Sequence, residues 1–327
     1  MRYLPTATAS LQCAAALAAM LQSSPAESQA TYPSQAVKII VPNPAGGLPD
    51  TVSRMVGRRL QERMQQSVVV ENRPGANGRV AVSALLNVAA DGYHLLVSDG
   101  SIVSINPLLY ASLSYDPKDL EPIAMLARAP LFLAIHAKVP ATNMREFITY
   151  AKARPGQLNY GSSGVGSTHH LSMEAMMSSL QLSMTHVPFK GTGESVPALV
   201  GGHIDVLFSA YPSLSGAADG NEVKLLATNG AGRSSQAPDL PSISEFVPGF
   251  DFAPVIGIFG RTGTPRDVLE KIAAEALAAL SEPDLVRQLA GVGVEAAGAG
   301  PEGFAAVLQA ETGRVAETVR RANIKPR

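Results

Sequence analysis

The chain has 327 residues, 46% hydrophobic and 16% charged, with 29 Gly and 24 Pro. That length supplies one large core or two medium ones and favours two domains. A formal net charge of -1 leaves no basic surplus to neutralise phosphates, so no nucleic-acid partner is expected. Near the N-terminus Arg2 is followed by a mostly apolar stretch from Leu11 to Leu21, then a polar run closing on Ser28-Gln29-Ala30. Small residues at Ser28 and Ala30 predict export, with a signal peptide cleaved after Ala30. The apolar stretch is about half the ~20 residues that a membrane span requires. Cys13, the single cysteine, falls within this leader, so the mature chain is expected to lack thiolate-metal and cysteine-nucleophile chemistry.

After the leader, β-rich runs alternate with amphipathic stretches. Val37 to Val41 reads as a buried strand. Thr51 to Met64 reads as a helix, with Val52, Met55, Val56, Leu60 and Met64 at helical spacing. A strand at Val68 to Glu71, a turn cluster from Arg73 to Gly78, a helix from Ala81 to Val88 and a strand from His94 to Ser98 follow. Asp116, Asp119 and Glu121 stand around prolines and read as turn formers. A second series begins with strand Leu131 to Ile135 and helix Met144 to Ala153. Strands at Leu158 to Gly161, Thr185 to Val187, Ile204 to Phe208 and Val223 to Thr228 continue it, with helices from Thr168 to Leu180 and Glu194 to Val200 between them. The alternation predicts largely parallel sheets covered by helices.

One more strand, Val255 to Phe259, precedes helices at Pro265 to Ala279, Pro283 to Leu289 and Pro301 to Ala322. A single strand builds no sheet of its own, so this tail is assigned to the first sheet. The expected organisation is a signal peptide over residues 1–30, a discontinuous first domain over 31–131 and 229–327, and a second over 132–228. Two crossings, near Ala129–Leu133 and Ala227–Gly230, make a hinge.

Two glycine-rich connections each join a strand to a helix: Val41 to Asp50, through Gly46 and Gly47, and Tyr160 to Thr168, through Gly164 and Gly166. Glycine lets backbone approach a ligand closely, and the free N–H groups opening the next helix favour an anion. Ligands of open α/β sheets lie beyond the carboxyl ends of strands, where both loops must sit, one in each domain. Nucleotide fingerprints fail here. Gly164-Val165-Gly166-Ser167-Thr168-His169 ends in His where a third Gly is needed, and Lys190-Gly191-Thr192 reverses the first two residues of the P-loop ending. A serine-hydrolase elbow on Ser163 needs Gly where Val165 stands. His170 and Glu174 share a helix face but find no convincing third metal ligand, and read as a salt-linked pair. No metal or cofactor is expected.

The ordered series Pro44-Ala45-Gly46-Gly47 with Asp50, Val69-Val70-Glu71-Asn72-Arg73-Pro74-Gly75-Ala76, Asp91-Gly92-Tyr93, Pro155-Gly156-Gln157-Leu158-Asn159-Tyr160, Gly164 to Leu171, His186 to Gly191 and Leu199 to Val206 resembles the Bug-type extracytoplasmic receptors of tripartite tricarboxylate transporters. The resemblance spans essentially the whole mature chain. It implies a two-lobed α/β fold of the periplasmic-binding-protein, Venus-flytrap type (type II-like), with the ligand cleft between domains. It also implies a small carboxylate as ligand (a tricarboxylate, dicarboxylate, amino acid or aromatic acid), membrane permease subunits as partners, a periplasmic location, a monomer and no catalysis. Carried onto this sequence, the ligand-binding residues are Gly46, Gly47 and Asp50 in the first domain and Gly164, Ser167, Thr168 and His169 in the second.

Three departures bear on specificity. Leu48-Pro49 replaces smaller or more flexible residues, Asp99 stands beside Ser101 in the loop after the third strand, and Tyr211 follows Ser209-Ala210. Ser101 and Tyr211 therefore join the expected binding residues; Asp99 either meets a ligand amine or caps its turn. Two other readings remain open on sequence: a solute sensor of the same fold, delivering liganded receptor to a signalling partner, and an exported hydrolase using Ser163 or Ser167 with His169 or His170.

Overall fold

The Val-, Ile- and Leu-rich runs become the central strands of two separate sheets in the computed structural model, which describes residues 32–326. The expected leader and cleavage site, with Cys13, Ser28 and Ala30, lie outside the described residues. Residues 35–327 pack as one unit, and the architecture below is that of this unit.

The chain opens with β1 (Val37–Val41), α1 (Leu48–Met64), β2 (Val68–Asn72), α2 (Arg79–Leu86), β3 (His94–Asp99) and two single turns, α3 (Ser101–Ser104) and α4 (Asn106–Leu109). It then runs out along β4 (Leu120–Arg128) and directly into β5 (Leu131–His136), the first strand of the second sheet. There follow α5 (Met144–Lys152), β6 (Asn159–Ser162), α6 (Thr168–Leu180), β7 (Thr185–Pro188), α7 (Thr192–Val200), β8 (Val206–Ala210), α8 (Tyr211–Asp219) and β9 (Val223–Thr228). The chain returns to the first sheet with β10 (Val255–Arg261), α9 (Arg266–Leu280), α10 (Pro283–Gly291), β11 (Glu295–Ala299) and α11 (Pro301–Arg321).

The first sheet has the order β11-β4-β10-β3-β1-β2 and the second β7-β6-β8-β5-β9. The expectation of largely parallel sheets needs correction, because both are mixed. β1 runs parallel to β2 and β3, and β6 parallel to β7 and β8. β10 is antiparallel to β3 and β4, and β5 to β8 and β9. The cause is the route of the chain. β4, β5 and β10 carry it between sheets with no crossover helix, and parallel neighbours need such a crossover.

β4, β11 and α8 are absent from the sequence reading. In β4, Pro122 and Glu121 look like turn chemistry, yet Pro122 pairs with Phe259 beside a register shift, where a missing N–H is tolerated. β11 is Glu-Ala-Ala-Gly-Ala, a composition with little strand preference. Cores form on both sheets: Ile40, Leu96, Phe259 and Phe304 in the first, Leu133, Phe147, Tyr160 and Phe208 in the second.

The crossings lie side by side and are joined through Asn229, which is fully buried. Its backbone N–H donates to Leu131 O at 2.9 Å and its carbonyl accepts from Phe252 N at 2.8 Å. Its Oδ1 accepts from Leu131 N at 2.8 Å, while Nδ2 donates to Phe252 O at 2.8 Å and to Ser172 Oγ, on α6, at 3.2 Å. Ala129 N donates to Pro254 O at 2.8 Å. Arg128 bonds both carboxylate oxygens of Asp251 at 3.0 Å, and Arg314 of α11 lies 3.6 Å from the same group.

Asn229→Ala strips partners from buried groups at Leu131, Phe252 and Ser172, each worth about 1–3 kcal/mol when left unsatisfied. The expected cost is about 3 kcal/mol or more, a Tm lower by about 5 °C or more for a protein of this size. Thermal unfolding of the variant checks this, and a Tm within about 2 °C of wild type would show that the crossing does not depend on the side chain.

Candidate functional site

β1 lies between β2 and β3, so the carboxyl ends of all three strands open at one edge of the first sheet. The turn from β1 into α1 is organised around Asp50, which is 2% exposed. Its Oδ2 accepts Gly46 N–H at 2.9 Å and Arg54 Nε at 3.1 Å; its Oδ1 accepts Asn72 Nδ2 at 2.8 Å. Asn72 reaches back to Asn43 O at 3.0 Å. Burial works to raise the Asp50 pKa, but the bonds from Arg54, Gly46 and Asn72 outweigh it and hold the carboxyl below its ordinary range. The carboxylate is thus occupied inside the turn, where it shapes Gly46 and Gly47. Leu48 opens α1, and Pro49 withholds an N–H from its first turn.

At the end of β3, Asp99 Oδ1 accepts Ser101 N–H at 3.1 Å and also the Ser101 hydroxyl. Asp99 therefore caps its own turn, and both polar groups of Ser101 are bonded to it. Glu311 of α11 presses against this turn: its Oε2 stands 2.5 Å from where a Cβ on Gly100 would be, so Gly100 admits no side chain. Burial, then the neighbouring Asp99 charge, pushes the Glu311 carboxyl up to about 7.

In the second sheet β6 lies between β7 and β8, and the turn from β6 into α6 carries Gly164, Ser167, Thr168 and His169. Ser167 caps α6 by accepting His170 N–H at 3.3 Å, and Thr168 is the first helical residue. His169 Nδ1 lies 2.8 Å from Ser163 Oγ, and burial lowers its pKa to about 4, so the ring is neutral in ordinary buffers. Tyr211 opens α8 at the end of β8, its ring 5.3 Å from that of the buried Phe132. Among the described residues no cluster of three or more His, Cys, Asp or Glu is arranged to hold a metal ion.

The expected residues therefore form two groups, one at each sheet edge, and Leu109 of the first sheet's layer touches the second group. A Cβ on Gly166 would lie 2.4 Å from Leu109 Cδ1, so the α4 turn of the first sheet's layer rests directly on the second glycine-rich loop. Gly166 has φ +78°, which a side chain would strain as well. Leu109 shares an apolar cluster with Ile105, Leu171 of α6 and Val315 of α11. Sequence reasoning assigned no role to Leu109 or Asn72. Their signals were weak: an apolar residue in a single-turn helix and an amide at a strand end.

Compared with known proteins, residues 52–324 match the tripartite tricarboxylate transporter family receptor, TctC. Protein BugT of Bordetella pertussis (strain Tohama I) is 30% identical over 298 residues, covering 90% of this chain and 91% of its own. Among solved structures, R. palustris Rpa4515 with adipate has TM-score 0.78 at 31% identity, over 90% of this chain and 100% of its own. MatC from Rhodopseudomonas palustris with bound malate has TM-score 0.71 at 28% identity, over 88% of this chain and 100% of its own. The two-lobed α/β fold expected from the sequence is shared with these structures.

Two outcomes follow from this geometry. Glu311, ordinarily near 4.5, has a folded-state pKa raised to about 7. Its contribution is thus present below 4.5 and lost as pH rises through 7, because folding must then take up a proton. Glu311→Gln should leave Tm unchanged at pH 4.5 and raise it at pH 8, and equal shifts at both would contradict the burial argument. Separately, Gly166→Ala should weaken ligand binding more than tenfold. Adding Leu109→Ala should restore part of the loss, as titration calorimetry of the single and double variants would register. Purely local strain at Gly166 would leave the double variant no better than the single.

Proposed function

This chain belongs to the tripartite tricarboxylate transporter receptor family, and on that premise we propose that it captures a small carboxylate between its two lobes and delivers it to the membrane subunits of such a transporter. The supporting observation is the pair of glycine-rich strand-to-helix turns, one from each sheet, the second of which, at Gly166, touches Leu109 of the first sheet's layer. They open helices of 17 and 13 residues, whose N-termini attract negative charge. Adipate and malate in the two related structures agree with a short dicarboxylate.

The two ends are unequal. Asp50 already sits in the first turn of α1 and Pro49 removes a donor, whereas the start of α6 carries no charged group. The ligand carboxylate therefore belongs on the α6 side, at the Gly164 turn, Ser167, Thr168 and His169. Gly46, Gly47 and Leu48 face the rest of the molecule, Tyr211 limits its length, and Ser101 closes the floor. Asp50 acts by shaping its turn. Neutral amides and hydroxyls hold an anion without burying a cation, whose desolvation would cost several kcal/mol.

The lobes span residues 31–131 with 229–327 and residues 132–228, and they turn about the Asn229 crossing. The chain works as an exported monomer after removal of residues 1–30. Among the described residues no helix is long and apolar enough to cross a membrane.

The Ser163–His169 contact is what a hydrolase reading would rest on. A general base needs a pKa near the working pH, and this ring titrates near 4. Among the described residues no carboxylate is bonded to His169, and Ser167 Oγ is engaged as the α6 cap. The chain is therefore read as a binder without catalysis.

A thermal-shift screen over four- to six-carbon dicarboxylates, tricarboxylates, amino acids and aromatic acids tests the reading. At a hundredfold excess over Kd a ligand should stabilise the protein by about 2.7 kcal/mol, a rise of several degrees. Thr168→Val, which removes one hydroxyl donor, should weaken that ligand about 5- to 10-fold. No shift with any carboxylate, using protein unfolded and refolded to remove carried-over ligand, would end the proposal.

A further inference from the structure

Ser162 is the last residue of β6 and is fully buried. Tyr160 and Ser162, two apart on a strand, present their side chains to one face of the sheet. β7 runs parallel with His186 opposite Tyr160, which puts His186 on that face too. The His186 ring is held between two others, its centroid 4.8 Å from that of Tyr160 and 4.1 Å from that of His170 on α6. Held there, its Nε2 stands 2.7 Å from Ser162 Oγ.

A hydroxyl has one proton to give and two lone pairs to fill, and Ser162 has three contacts. Gly164 N–H donates to Ser162 Oγ at 3.1 Å, and Gly164 O stands 3.1 Å from the same atom. A carbonyl only accepts, so the hydroxyl proton belongs to Gly164 O. The amide takes one lone pair, and the other is left for His186, which must donate through Nε2–H. This assignment satisfies all three contacts. Burial lowers the His186 pKa, so in neutral buffer the ring is uncharged and its one proton sits on Nε2. The same hydroxyl sets the loop beyond it. Gly164 has φ +113°, and its carbonyl also accepts Ser167 N–H at 3.2 Å, closing the turn that delivers Ser167 as the cap of α6. Gly164, Gly166, Ser167 and His170 thus spend their N–H groups on Ser162 Oγ, His170 Nδ1, Gly164 O and Ser167 Oγ. The N–H groups of Thr168 and His169, the first two residues of the helix, find no acceptor among the described residues.

We propose that Ser162 is a positioning residue of the carboxylate site: its hydroxyl, held by His186 Nε2–H, locks Gly164 in the turn that leaves the Thr168 and His169 amides facing an anion. The proposal rests on the receptor reading for its ligand but not for its hydrogen-bond chemistry. Ala in place of Ser162 removes the donor and both lone pairs. Gln in place of His186 keeps an N–H donor for the position of Nε2; Leu keeps none.

Calorimetry in neutral buffer uses the four- to six-carbon dicarboxylate that gives the largest shift in the thermal screen. Ser162→Ala and His186→Leu should each weaken its binding about tenfold, while His186→Gln should stay within about threefold of wild type. Because His186 acts through the hydroxyl, adding His186→Leu to Ser162→Ala should cost no further affinity. A merely structural role would lower the ligand-free Tm and leave Kd, measured well below that Tm, unchanged. Wild-type affinity in Ser162→Ala, or losses that multiply to about a hundredfold in the double variant, overturns the proposal. Two further measurements need no ligand. In 15N-labelled wild type the His186 ring should carry its proton on Nε2, and exchange of the Gly164 amide proton should be faster in Ser162→Ala. If no carboxylate binds the wild type, the receptor reading fails while these two measurements still decide what Ser162 does. A proton on Nδ1 of His186, or Gly164 exchange unchanged by the substitution, rejects that role.

Discussion

Asn229 has its backbone N–H, its carbonyl, Oδ1 and Nδ2 all bonded between the strand that leaves the first sheet and the segment that returns to it. A buried amide so fully engaged resists any motion that would open one of those bonds, since each lost partner strands a polar group away from water. Reorientation of one sheet against the other must then come from torsions beside the clamp. The neighbouring residues are Ala129-Pro130 on the way out and Ala253-Pro254 on the way back, linked by the Ala129–Pro254 bond. Proline fixes φ in both connections, which narrows the available freedom to a few angles and favours a single swinging motion.

At the two loops, a charged residue and a neutral one do the same mechanical task. Both turns need backbone in the left-handed region, at Gly46 with φ +84° and at Gly166 with φ +78°, and such turns are floppy unless something holds their amides. Asp50 holds Gly46, and the Arg54 beside it makes that anchor an ion pair. His170 holds Gly166. The charged anchor lies at the loop with fewer donors to offer a ligand. The neutral anchor lies where an anion would otherwise meet a competing carboxylate. Electrostatic economy thus explains why the two loops, alike in glycine content, are anchored differently.

The sequence made much of this legible, and the part that was not has a physical cause. Both loops could be found because glycine runs between a strand and a helix report backbone needs that are local. The two sheets followed from periodicity for the same reason. The mixed topology was hidden because β4 looks like turn chemistry around Pro122 and β11 is small and apolar; both are strands only through the neighbours they pair with. Asp50, taken as a ligand contact, is a buried anchor because Asn72 and Arg54 converge on it from a strand end and a helix face. His170 and Glu174 were read as a salt-linked pair from their spacing. Their spacing is indeed that of one helix face, but at 3.8 Å the pair is only one edge of a stack whose other rings come from β6 and β7. Side chains joined across 10 to 26 positions leave no periodic trace.

The Asp50 anchor answers to pH with a definite sign. Asp50 has a depressed pKa, so its support for the first loop is complete at neutral pH and fades only in strong acid, as pH falls through that lowered value. On the other side, Leu109 of the first sheet's layer rests on Gly166 itself, the glycine whose amide is held by His170, so one buried imidazole supports both the shape of the second loop and its contact with the first sheet's layer.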